Sequence, residues 1–171
     1  MDTNIVFDAP WALSLKITTG LSLFILIAIP VIFFSYASLA NDLGRTIIIL
    51  FLPMFILIGA SLFIIRGYVI TSDSIIVKQL GWSKKFDLDK LKSIKFDPNA
   101  MAASVRTFGN GGIFSYVGRF SNNSLGSYRA YATNPSLSVI LYFKDETIVL
   151  TPDRPEYFVS SIYKITELNV N

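Results

Sequence analysis

The sequence predicts an α-helical membrane hairpin of two spans followed by a small all-β domain closed by one C-terminal helix. Three observations predict it. Two long stretches, residues 17–41 and 46–65, carry no charged side chain. After Arg66 the chain changes to short runs of β-branched and aromatic residues separated by turn chemistry. Its last part returns to a helical period with a start signal. The chain divides accordingly into 1–66, an N-terminal segment and the hairpin, and 67–171, the β domain with its helix.

Composition agrees with that division. Hydrophobic residues make up 52% of the 171 and charged residues 16%, against roughly 25% charged in a typical soluble domain. The deficit is confined to the two apolar stretches. The chain has no cysteine and no histidine. That excludes disulfides and thiolate metal sites and removes the commonest general base. No metal and no cofactor is expected. Net charge is +3, and from Arg66 onward there are 13 Lys/Arg and 9 Asp/Glu. Lys84, Lys85, Lys90, Lys92 and Lys95 are interrupted by Asp87, Asp89 and Asp97. They do not form the dense basic stripe that nucleic acid requires, so no nucleic acid is expected.

The first span reads ITTGLSLFILIAIPVIFFSYASLAN and the second TIIILFLPMFILIGASLFII. About 20 helical residues cover the hydrocarbon core, and neither run is amphipathic. Pro30 and Pro53 are tolerated there as kinks. The linker DLGR is short, which makes the hairpin antiparallel and puts both chain ends on one side. Lys16 and Arg66 flank the outer ends and most Lys/Arg follow. The excess of Lys/Arg on that side puts both termini and the β domain in the cytoplasm. Trp11, Tyr36 and Tyr68 suit the lipid–water interface. A cleaved signal peptide ending at SLA, residues 38–40, is the competing reading of the first span. Gly20 and Gly59–Ala60–Ser61 are small enough for close helix approach and a homo-oligomer.

In the β domain, residues 68–71 and 75–78 read as strands around the turn TSDS, and Gly81–Trp82 makes the next turn. Residues 93–96 follow as a strand. The clearest hairpin is SLSVILYFKDETIVLT, with 138–143 and 147–150 flanking KDE. Asp145 and Glu146 read as turn residues in water. The C-terminal helix starts with Asp153 as N-cap and Glu156 three residues on, a capping box, with Pro155 in the first turn. Phe158, Ile162 and Ile165 line its core face.

GNGGIF, residues 109–114, invites a phosphate-loop reading. It lacks the Lys-Ser/Thr of a P-loop, and Phe114 stands where a dinucleotide fingerprint has its third glycine. Asn110–Gly111 is instead a two-residue hairpin signal. Gly109, Asn110, Gly111 and Gly112 are therefore expected to serve a structural turn, with Gly112 relieving crowding or forming a bulge.

The surrounding stretch carries a resemblance. Arg106-x-Phe108-Gly109-x-Gly111-Gly112, Gly118-x-Phe120, Leu125-Gly126-x-Tyr128 and Tyr131-x-Thr133 are followed by IVLTPDRPEYFV, with Pro152, Pro155, Glu156 and Phe158. This pattern, from about Tyr68 to the end, resembles the bacterial PH (pleckstrin-homology-like) domain family of small membrane-attached proteins. The resemblance implies a PH-like barrel with one C-terminal capping helix, a bacterial plasma-membrane setting and no catalytic residues. It implies a protein-binding or assembly role. The alternatives it leaves are an anionic-lipid headgroup module or a regulatory subunit of a membrane enzyme or transporter complex. Candidate ligand or partner residues are Lys78, Lys84 and Lys85 around Gly81–Trp82, together with Arg106, Arg119 and Arg129. The arginines read either as anion or carboxylate contacts or as stacking partners of nearby Tyr and Phe.

Overall fold

The computed structural model describes residues 4–36 and 43–168. In chain order the elements are β1 (Ile5–Phe7), α1 (Leu13–Tyr36), α2 (Leu43–Ser61), β2 (Ile65–Ile70), β3 (Ser74–Gln79) and β4 (Ser83–Asp87). A 3-10 turn at Leu88–Lys90 leads to β5 (Leu91–Phe96), β6 (Val105–Ile113), β7 (Ser115–Asn122) and β8 (Gly126–Ala132). β9 (Val139–Phe143), β10 (Thr147–Leu150) and α3 (Pro155–Leu168) complete the chain.

The strands form two sheets. The first has the order β1-β2-β3-β4 and the second β5-β9-β10-β8-β7-β6. All pairings are antiparallel except β8 with β10. The main core lies between the sheets. Tyr68, Ile70, Ile75 and Val77 meet Val117, Leu141, Ile148 and Leu150, and α3 closes the space with Phe158 and Ile162. Each such buried side chain stabilises the fold by about 1.5–3 kcal/mol. The expected helix stripe is the core face, and the KDE hairpin forms as expected between β9 and β10. A second cluster with Phe120, Tyr128, Ala130 and Ile140 lies on the other face of the second sheet, against Ala100 and Met101. There Asn122 Nδ2 donates to the Ala100 carbonyl at 2.9 Å and the Tyr128 hydroxyl to Ser104 Oγ at 2.7 Å.

The structure differs from several expectations. Residues 5–7 are a strand of the first sheet, a run too short to carry a readable period. Phe7 is fully buried and packs edge-on against Phe158 at 4.9 Å. Tyr68 is not at an interface. It is fully buried, donating from its hydroxyl to the Tyr131 carbonyl at 2.9 Å. The side chain of Tyr36 lies outside the described residues. Asp153 is not the helix cap: its carboxylate accepts from the Asp8 N–H at 3.1 Å and from Arg154 Nε at 3.0 Å, tying β1 to the start of α3.

The glycine segment also differs. β6 continues through Asn110–Gly111, and the chain reverses at Phe114, φ +65°. The reason is local. The Asn110 side chain accepts from the Gly112 and Ile113 N–H groups and donates to the Ile113 carbonyl. It thereby stabilises a bulge at Gly112, φ +131°, where the register shifts. The bulged carbonyl faces α1: Thr18 and Thr19 hydroxyls donate to the Gly112 oxygen at 3.0 and 3.2 Å, and the Phe114 N–H donates to Thr19 Oγ1 at 2.9 Å. Gly109 and Gly118 oppose each other on β6 and β7 at φ +101° and +147°, where a Cβ on either would meet the facing backbone.

α1 and α2 lie side by side and project from the β domain. Among the described residues one helix, Leu13–Ser35, has the length and composition of a membrane span; the second apolar run, Thr46–Ser61, is shorter. The two-span expectation is thus met by one clear span. Only 6% of that span's most apolar window is buried, so it is not the core helix of a globular protein. Gly20 and Gly59 meet no neighbour within 4 Å of where a Cβ would stand.

Candidate binding cleft

The two sheets part where β4 faces β7 and β8. β4 pairs only with β3 and is the edge of its sheet. In its register Lys84 stands opposite Val77 and Phe86 opposite Ile75, so Lys84 and Phe86 share the inward face of the strand. Across the gap Arg119 on β7 stands opposite Arg129 on β8. A cleft of about 650 Å³ opens between them, with the β9–β10 turn along one side.

Six cationic residues line it, Lys84, Lys85, Lys90, Arg119, Arg129 and Lys144, with Lys85 alternating to the outward face of β4 at its rim. Three carboxylates do so as well, Asp87, Asp145 and Glu146. Two are already engaged, Asp87 by Lys90 at 2.9 Å and Glu146 by Arg129 at 3.2 Å. Lys85 is held at 2.9 Å by Asp73 from the β2–β3 turn. That contact, with Thr71 and Ser74 hydroxyls, pulls the Asp73 carboxyl well below its ordinary range and pushes Lys85 up. Lys84, Arg119 and Lys144 have no carboxylate partner among the described residues. The cleft is therefore a net-positive surface with uncommitted cations.

A second concavity of about 540 Å³ continues from the first and shares Arg119 and Arg129 with it. Phe108, Val117 and Tyr131 give it an apolar lining. Phe108 is 76% exposed, on β6 at the edge of the second sheet. Burial pushes the Tyr131 phenol above its ordinary value, and Arg129 beside it pulls the other way. The two concavities adjoin at Arg119 and Arg129, the first lined by cations and the second mainly apolar.

The profile of the bacterial PH domain matches residues 66–165, over half of the chain. The chain belongs to the bacterial PH domain family. No curated protein and no solved structure matches it. PH-like domains are generally non-catalytic and point to binding of protein or lipid. The groove in this PH-like domain suits such a task, since its cations and exposed ring can hold a carboxylate, a phosphate or an apolar side chain. Among the described residues no cluster of His, Cys, Asp and Glu could hold a metal ion.

Four of the six residues expected at a site, Lys84, Lys85, Arg119 and Arg129, line the PH-like domain's cleft. Lys78 does not: it stands opposite Ser83 in the register, on the outward face one residue from Val77. Arg106 does not either. Its guanidinium donates to the Gly109 carbonyl at 3.1 Å and lies over Gly111. Phe108, Lys90 and Lys144 were not readable as site residues, because only the gap between sheets brings them there. Glu146 is a partner of Arg129 as well as a turn residue.

Proposed function

We propose that this chain is a membrane-anchored, non-catalytic PH-like module that binds an acidic segment of a partner protein at the cytoplasmic face of the membrane. The carrying observation is the continuity of the cationic cleft with the uncovered Phe108 surface. A headgroup needs cations alone. A peptide segment also gains from an exposed aromatic ring and from the free backbone edge of β4.

The anchor is read as two spans. β1 precedes α1, β2 follows α2, and the two strands pair as neighbours, Phe7 with Tyr68. That pairing supports a return of the chain to the same side through α2. At 1.5 Å per residue the 24 residues of α1 and 19 of α2 are comparable with the roughly 30 Å core. A cleaved first span is disfavoured, because cleavage after residue 40 would remove Phe7 from the core. Lys16, Arg66 and the later cations favour the cytoplasm for the domain.

The test is purification of the intact protein from its own membrane after mild crosslinking, in wild-type form and as the Arg119→Glu/Arg129→Glu variant. A protein recovered with the wild type and lost with the variant supports the reading. Equal recovery with both forms contradicts it. If lipid alone is lost with the variant, the groove is a headgroup site.

A further inference from the structure

We infer that the end of the β domain beside the helices is a lipid-seating collar, built around Trp82, Leu80 and Leu62 and completed by Trp11 and Phe114. This rests on the membrane reading of α1.

The collar is assembled by the chain's return from α2. The Leu80 N–H donates to the Ile64 carbonyl at 2.9 Å and the Gly81 N–H to the Leu62 carbonyl at 3.0 Å. Trp82 stands edge-on to Phe63, with ring centroids 4.7 Å apart. At the base of α1, Trp11 packs against Phe114 at 6.2 Å, and Phe114 is held to α1 through Thr19. These contacts fix the β3–β4 and β6–β7 turns at the bases of both helices. Yet the apolar side chains remain open: Leu80 is 52% exposed, Trp82 43% and Leu62 39%.

Their occupant follows from continuity. Leu62 follows α2 directly, one helical turn beyond the exposed Ile58, and Leu13 and Ile17 are exposed in the first turns of α1. What covers the helices therefore also reaches the collar. Tryptophan, with an apolar ring and one N–H donor, is suited to the headgroup boundary. The collar would fix the height of the groove. Lys84 is two residues from Trp82 and Arg119 five from Phe114, so at strand rise they lie within about 7 and 17 Å of the collar. A ligand must then reach the cleft close to the membrane surface. That suits the juxtamembrane segment of another membrane protein.

The chain has two tryptophans and no cysteine, so intrinsic fluorescence reads the collar directly. The full chain is reconstituted into phosphatidylcholine vesicles containing lipids brominated at shallow or at deep acyl positions. In the Trp11→Phe variant, Trp82 emission should be quenched at least about twofold more by the shallow label than by the deep one, as an interfacial ring requires. Should that variant fail to fold, the difference between wild type and Trp82→Phe gives the same quantity. Unquenched Trp82 in protein that resists alkaline extraction would overturn the collar and leave the anchor standing. Release of the chain by alkaline extraction would overturn both.

Discussion

Arg119 and Arg129 stand directly opposite each other on β7 and β8, and among the described residues only Arg129 has a carboxylate, Glu146 at 3.2 Å. Like charges so placed destabilise a sheet by a few tenths to about 1 kcal/mol. That cost fits the proposed reading of an acidic partner, which would offset it.

Arg119→Gln is accordingly expected to leave stability unchanged or raise it by about 0.2–1 kcal/mol, while weakening partner capture. Thermal unfolding and crosslinking yield on the same preparation separate the two effects.

Glu146→Gln releases Arg129 into the cleft. The pair is about a third exposed, so its loss should cost under about 1 kcal/mol. Binding of an acidic partner should become tighter and more dependent on salt, read as retention at rising ionic strength.

Gly118→Ala drives a Cβ into the Phe108 carbonyl at a φ of +147°. A loss of about 2 kcal/mol or more is expected from strain at this position. Denaturant midpoints of the variant and the wild type measure it.

The Tyr68 phenol is pushed up from its ordinary value of 10.0 to about 12, mainly by burial. Its folded pKa is raised, so its contribution is complete below about pH 10 and is lost as pH climbs towards 12. Tyr68→Phe should lower stability at neutral pH by about 1–2 kcal/mol through the lost hydrogen bonds. It should also flatten the fall in stability between pH 10 and 12, followed by circular dichroism.

Much of the fold was legible because strands and helices carry periods. Ile75 and Val77 alternate, Phe158 and Ile162 repeat at helical spacing, and KDE separates two β-rich runs. The misreadings have physical causes. Asn110–Gly111 is a turn signal by residue type, but the Asn110 side chain spends its hydrogen bonds on the bulge, and Thr19 and Trp11 help to hold the turn at Phe114. Tyr68 follows an apolar run, where a ring in lipid and a ring in the core look alike in sequence. The cleft itself depends on which strands end a sheet, and no local pattern records that.

The most direct test is site-specific photocrosslinking from residue 108 in native membranes, with p-benzoylphenylalanine in place of Phe108. The ring is exposed beside Arg119 and Arg129. The account predicts adducts to a discrete membrane-protein partner that disappear when Arg119 and Arg129 are changed to glutamate. Adducts to lipid alone, or protein adducts indifferent to the two arginines, would contradict it.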